Sequence, residues 1–80
     1  MPALGITLAT NVRAERSRKR WRQEDLAKAL GMSVDTVSRM ESGQRKITMD
    51  DLPGLCRVFG LPLAELLRGA EPEDVGPLGL

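Results

Sequence analysis

The side chains with the clearest capacity for chemistry lie between residues 34 and 46, where carboxylate, hydroxyl and guanidinium groups follow one another with few apolar residues between them. The chain has no His, and Cys56 is its single Cys. Catalysis by Ser–His–Asp or Cys–His groups is therefore impossible within this chain, and a metal site built from N and S ligands is excluded. The chemistry that remains for these side chains is hydrogen bonding to a ligand. The sequence predicts a binding protein, not an enzyme, with no cofactor and no bound metal.

A pair of short helices joined by a tight turn is predicted between residues 23 and 43. The first is about eight residues long and carries a narrow apolar stripe at i, i+1 and i+4. That stripe consists of Leu26, Ala27 and Leu30. Gly31 can adopt the left-handed conformation that ends many helices, and Ser33 stands where the N-cap of a second helix belongs. The angle between the two helices is therefore specified by the sequence.

The second helix of the pair, at about 34–42, has two unlike faces at roughly 100° per residue. One face carries Val37, Met40 and Glu41, and the other carries Asp35, Ser38, Arg39 and Ser42. Two apolar residues make a poor core helix, whereas Arg and Asp can reach the base edges in the major groove of DNA. Two helices around a Gly-containing turn, the second of them exposed, indicate a helix-turn-helix.

Eight residues at consistent spacing make this pattern specific. They are Gln23, Leu26, Ala27, Gly31, Ser33, Val37, Glu41 and Gly43. The set resembles the motif of the Cro/cI-type (XRE-like) helix-turn-helix family of phage repressors and bacterial regulators, over about residues 8–69. The resemblance implies an all-α, compact five-helix, lambda-repressor-like DNA-binding domain that acts on double-stranded DNA.

The other boundaries follow from apolar spacing and from Gly and Pro. A first helix is expected at 8–19, a fourth at 52–59 and a fifth at 63–67. For the fourth helix Thr48 and Asp51 both could serve as N-cap, and Asp51 is favoured because Pro53 then lies in the first turn. Residues 1–7 are expected to form an N-terminal arm, 8–69 the DNA-binding domain, and 70–80 a flexible tail of acidic and apolar residues.

The resemblance and the helix faces together predict three groups of functional residues. Base-reading residues are Val34, Asp35, Thr36, Ser38 and Arg39, with Arg39 the main candidate for forked contact to guanine. Phosphate-binding residues are Arg22, Gln23, Ser33, Ser42, Gln44, Arg45 and Lys46. The family implies an ion pair between Arg16 and Glu41 that fixes the second helix of the motif against the first helix of the domain.

The charge distribution supports a binder of anions, although the net charge is only +1. Residues 1–49 hold 10 Lys or Arg against 5 Asp or Glu, and residues 50–80 hold 2 against 6. The balance of +5 in one part and −4 in the other is the asymmetry that an oriented DNA binder would have.

One such domain covers only half of a binding site, so a homodimer on a roughly palindromic operator is expected, and the protein is expected to be a repressor. Two alternatives remain open. In the first, the chain is an antitoxin whose tail binds a protein partner. In the second, it is a protein-interaction module without DNA affinity, as the acidic Asp35 would suggest. The lone Cys and the lack of a basic leader indicate the cytoplasm, and no apolar run is long enough for a membrane helix.

Overall fold

The computed structural model describes residues 3–80, and this part of the chain is helical with no β-strand. The all-α prediction is therefore confirmed. Its α-helices are α1 (Ala3–Arg18), α2 (Gln23–Leu30), α3 (Val34–Ser42), α4 (Leu52–Phe59), α5 (Leu63–Leu66) and α6 (Pro72–Val75). Two short 3-10 turns, Met49–Asp51 and Gly76–Leu78, precede α4 and follow α6.

The first helix begins five residues earlier than the sequence predicts. Residues 3–7 belong to α1 and do not form an arm; the predicted arm's first two residues lie outside the described part of the chain. The physical reason is Leu4, which stands four residues before Leu8 on the same helix face. Both side chains pack on the core, and this packing outweighs the low helix propensity of Gly5.

The C-terminal segment also differs from its prediction. Residues 72–75 form α6, a sixth helix where five were expected, with Pro72 in its first turn, where the missing N–H of proline costs nothing. Val75 packs on the core. The acidic composition of the segment suggested a solvated tail, and the apolar contact of Val75 is what draws it back onto the domain.

The core lies where α1 to α5 meet. Its fully buried side chains are Val12 from α1, Leu26 from α2, Val37 and Met40 from α3, Leu55 from α4 and Leu66 from α5. Burial of each aliphatic side chain of this size contributes about 1.5–3 kcal/mol relative to exposure. Because α3 places Val37 and Met40 at the centre of this core, its orientation is fixed by the whole domain.

The start of α4 corrects the predicted cap. Asp51 has helical backbone angles and does not cap α4 with its side chain. Its carboxylate instead reaches back and accepts from the Thr48 backbone N–H at 2.8 Å. Thr48 therefore stands at the N-cap and Asp51 at N3, the spacing of a capping box. The 3-10 turn between them places Pro53 within the first turn of α4, so the helix tolerates it.

A polar contact that the sequence does not reveal holds α5 on α1. Asn11 is buried, and its side-chain amide donates to the carbonyl oxygens of Leu66 at 2.7 Å and Arg68 at 3.0 Å. The Leu66 carbonyl is the last of α5 and lacks a helical partner, and the Arg68 carbonyl follows two residues beyond the helix. Glu15, one turn further along α1, lies 2.9 Å from the Arg68 guanidinium. A helix of only four residues is thereby anchored at its C-terminus.

Candidate nucleic-acid interface

Backbone geometry and capping hydrogen bonds define where α3 begins and where it ends. Gly31, after α2, has a φ of 69°, in the left-handed region that favours glycine. The Ser33 hydroxyl then accepts from the Thr36 backbone N–H at 3.1 Å and caps α3. At the other end Gly43, with a φ of 83°, closes the helix. The two predicted glycine stops and the predicted Ser33 cap are confirmed.

The inner face of α3 is attached to the domain by an ion pair as well as by apolar packing. Arg16 Nε lies 2.7 Å from Glu41 Oε2, and Arg16 Nη2 lies 3.1 Å from Glu41 Oε1. The Arg16 and Glu41 side chains are 14% and 3% exposed. Two parallel hydrogen bonds between planar groups fix the orientation of both. The geometry expected from the resemblance is present, and it ties α3 to α1.

Two further groups complete this buried pair. The Gln23 side-chain amide donates to Glu41 Oε1 at 3.2 Å, and Arg16 Nη1 donates to the Trp21 carbonyl at 2.7 Å. The Trp21 ring packs on the core, with the Lys19 ammonium 5.3 Å from its centroid. Gln23 was predicted as a phosphate ligand. Here its amide nitrogen is engaged by Glu41, so its position depends on α3.

The outer face of α3 is open. Val34 is 45% exposed, and the Asp35 and Arg39 side chains are 72% and 59% exposed. Asp35 Oδ2 lies 3.0 Å from Arg39 Nε, so the i, i+4 pair that the sequence allows is formed. The pair uses Nε, and within residues 3–80 neither terminal nitrogen of the Arg39 guanidinium forms an ion pair. Thr36 and Ser38, the smaller base-reading candidates, are half-buried.

The segment after α3 carries three of the predicted phosphate ligands, Gln44, Arg45 and Lys46. Gln44 and Lys46 are exposed. Ser42 Oγ donates to the Arg39 carbonyl at 3.2 Å, and the Arg45 backbone N–H donates to the same carbonyl at 3.0 Å. The segment therefore folds back on the end of α3.

Arg45 has a partner that was not predicted. Its Nη1 lies 3.0 Å from Asp51 Oδ2, and the Arg45 and Asp51 side chains are 35% and 9% exposed. Burial alone would raise the pKa of Asp51, but hydrogen bonds from the Thr48 backbone, Arg45 and the Thr48 hydroxyl outweigh it, and the pKa lies below its ordinary value. The carboxylate is therefore ionised near neutral pH and holds Arg45 in place.

The start of α2 is exposed and carries Arg22 beside two acids of the first turn, Glu24 and Asp25. Arginine has no hydrogen-bond acceptor in its side chain, so Arg22 at the N-cap position cannot cap the helix. The Asp25 carboxylate instead accepts from the Arg22 backbone N–H at 2.8 Å. The Arg22 guanidinium points to solvent and lies 3.4 Å from Glu24. Arg22 and the first N–H groups of α2 together suit an anion.

The residues that the sequence missed make their contacts with partners distant in the chain or across a loop. Asn11 and Glu15 attach α5 to α1, and nothing in their local pattern points to carbonyls some 55 residues away. Asp51 could have been found, because Thr48-x-x-Asp51 has the spacing of a capping box. Its contact with Arg45 depends on the path of the intervening segment.

Comparison with known proteins agrees with this geometry. A family model described as a helix-turn-helix domain matches residues 7–68. Among solved structures, the chain is similar to the hypothetical transcription factor NHTF from Neisseria, with a TM-score of 0.74 and 29% sequence identity. That likeness covers 94% of this chain and 84% of the other. A search of curated proteins finds no match. Within residues 3–80, none of the helices is long and apolar enough to cross a membrane.

Proposed function

The chain belongs to the helix-turn-helix domain family, and we propose that it is a sequence-specific regulator of transcription, of Cro/cI type, that binds double-stranded DNA. The observation that carries the proposal is the contrast between the faces of α3. The side chains of Val37, Met40 and Glu41 are buried and attach the inner face to the domain, while Val34, Asp35 and Arg39 are exposed on the outer face. A rigidly held helix with hydrogen-bonding side chains on its open side suits the major groove.

Base reading is assigned to the outer face of α3. Arg39 can donate from both terminal nitrogens to O6 and N7 of a guanine, the forked contact that distinguishes this base. Asp35 holds Arg39 through Nε at 3.0 Å, which supports an aiming role over a direct contact to a cytosine amino group. Val34 can pack on a thymine methyl, and Thr36 and Ser38 are secondary contacts.

Phosphate binding is assigned to both flanks of α3. Arg22 and Gln23 open α2 on one side, where helix N–H groups attract anions. Gln44, Arg45 and Lys46 follow α3 on the other side. The Ser33 and Ser42 hydroxyls sit at the two ends of α3. Arg45 donates only from Nη1 within the described residues, so its other N–H groups can reach a phosphate without leaving Asp51.

The proposed protein is a repressor that acts in the cytoplasm as a homodimer on a roughly palindromic operator. One α3 reads only a few base pairs, and a two-fold dimer doubles the site with half-sites about one helical turn apart. Occupation of DNA without any enzymatic step is sufficient for repression. The family membership and the likeness to a hypothetical transcription factor support this class of function.

Selection from random duplex DNA tests the proposal. The wild type is compared with Arg39→Ala, Arg45→Ala and the control Arg57→Ala, which removes an exposed cation from α4. We expect a two-fold symmetric motif. Arg39→Ala should lose about 1–3 kcal/mol of discrimination at one guanine position, whereas Arg45→Ala should keep the motif and reduce the salt slope of binding by about 1. Arg57→Ala should leave both unchanged. Absence of any enriched motif, even at low salt, contradicts the proposal.

A second candidate, an antitoxin-type protein that binds a partner through its C-terminal tail, retains one supporting observation. Leu78 and Leu80 are 55% and 46% exposed and line the same cavity, and a cluster of exposed apolar side chains is typical of an interaction site. Removal of residues 76–80 distinguishes the candidates. Under this alternative, binding to a purified partner is lost and DNA binding is kept.

A further inference from the structure

The exposed apolar side chains of this domain are not scattered. The large ones are Ile6, Val34, Met49, Leu78 and Leu80. Val34 lies on the outer face of α3, and the proposed contact with DNA explains its exposure. The other four line two adjoining cavities of about 380 and 360 Å³, which share Gly5 and Ile47. We call these cavities together the apolar groove. A concentration of apolar surface in one place marks an interaction site.

The groove lies beside the end of α3. Its first part is lined by Met40 and Gly43 from the end of that helix, and its second part by residues 47–49 and by leucines of α1, α4, α5 and the C-terminal segment. Met49 is 84% exposed at its rim. A partner docked there would sit next to the DNA-facing surface without covering the outer face of α3.

Residues 46–49 line the groove, and the segment 46–50 carries one charge of each sign, at its two ends. Lys46 and Asp50 flank Ile47 and Met49 in the sequence, and within residues 3–80 neither charge forms an ion pair. In a two-fold contact the same patch meets itself in the opposite direction. An axis passing near Thr48 brings Lys46 of each copy to Asp50 of the other. The Lys46 ammonium has three donors, so this pair leaves N–H groups for the phosphate assigned to Lys46 above.

We propose that the occupant of the apolar groove is a second copy of this chain, related by a two-fold axis near Thr48. Ile47 of each copy then packs near Met49 of the other, with Ile6, Leu78 and Leu80 enlarging the apolar contact and the Lys46–Asp50 pairs at its edges. The inference rests on the proposed function only for the expectation of a dimer. The further element is the position of the contact, which places the ends of both α3 helices beside the two-fold axis.

Sedimentation equilibrium without DNA, over a wide range of protein concentration, tests the inference. The variant is Met49→Glu, and the matched control is Val34→Glu, which places the same charge on the other exposed apolar surface. We expect the wild type and Val34→Glu to dimerise equally. Met49→Glu should raise the dimer dissociation constant about tenfold or more, because a carboxylate without a partner is disfavoured in an apolar contact. Both side chains are exposed in the single chain, so circular dichroism should record unchanged folding.

Charge reversal tests the direction of the contact. Lys46→Glu should weaken dimerisation, because it faces Asp50 of the other copy with a like charge, and Lys46→Glu combined with Asp50→Lys should restore it. A wild type that stays monomeric throughout, equal dimerisation of Met49→Glu and Val34→Glu, or no rescue by the double reversal would overturn the inference.

The two proposals can fail separately. A dimer that meets these expectations but selects no DNA motif contradicts only the proposed regulator. Selective binding of a monomer to a single half-site contradicts the two-fold contact and the homodimer, and it leaves the sequence-specific regulator supported. Val34→Glu keeps the dimer and loses DNA binding if both proposals hold.

Discussion

The two faces of α3 carry ion pairs of the same chemistry in opposite surroundings. On the inner face, the Arg16 and Glu41 side chains are 14% and 3% exposed; on the outer face, those of Arg39 and Asp35 are 59% and 72% exposed. The inner pair has further partners in Gln23 and the Trp21 carbonyl, while the outer pair leaves donors free. Burial thus makes one Arg part of the scaffold and leaves the other available to a ligand.

The largest effect is expected from breaking the inner pair. Arg16→Ala leaves the Glu41 carboxylate buried without its main partner, and removal of one member of such a pair costs about 3–5 kcal/mol. Urea unfolding should record a loss of this size. It is a large share of the ~5–15 kcal/mol by which domains are stable.

Arg18→Ala is the matched control for this variant. Arg18 lies on the same helix and is 70% exposed, 3.4 Å from Glu15. Its removal should change the free energy of unfolding by less than about 1 kcal/mol. Equal losses for Arg16→Ala and Arg18→Ala would show that burial does not separate the two kinds of pair.

A pair of intermediate burial, Arg45–Asp51, should give an intermediate effect and a pH dependence. Because the pKa of Asp51 is lowered in the folded state, its contribution is complete above the unfolded pKa of about 3.9 and is lost as the pH falls through the lower folded value. Asp51→Asn should cost about 2 kcal/mol at neutral pH, since it weakens hydrogen bonds to a charged group.

The pH dependence distinguishes the contribution of Asp51 to stability from the acid unfolding of the whole domain. Below about pH 4 the free energy of unfolding of Asp51→Asn should fall less steeply than that of the wild type. Parallel curves for the two proteins would mean that Asp51 does not titrate with a lowered pKa. Glu73→Gln, at an exposed position of α6, is the control and should change the free energy of unfolding at neutral pH by less than about 0.5 kcal/mol.

The parts of the molecule that could be predicted are those that short-range rules specify. The α2–α3 turn depends on caps and contacts within about four residues, at Gly31, Ser33 and Gly43, and its prediction matches the structure. The predicted base-reading residues follow from the faces of α3, since they are the residues that do not pack in the core. Their roles on DNA remain predictions.

The parts that could not be predicted depend on residues far apart in the chain. Asn11 meets the end of α5 only after the whole domain has folded. The path of the C-terminal segment depends on Val75 packing on the core, although its composition is that of a solvated tail. Contacts between neighbours along a helix can be predicted from a single sequence. Which distant helix end needs a hydrogen-bond donor cannot.

The smallest effect on stability is expected from the outer pair, Asp35 and Arg39. Asp35→Asn should change the free energy of unfolding by less than about 0.5 kcal/mol, because exposed i, i+4 pairs contribute little. On DNA it removes both a negative charge near phosphates and the partner that aims Arg39. Affinity for random duplex should therefore rise while preference for the selected motif falls, and competition binding against the two DNAs measures both. A rise in affinity for both DNAs by the same factor would mean that Asp35 acts only through its charge, and the outer pair would then have no part in aiming Arg39.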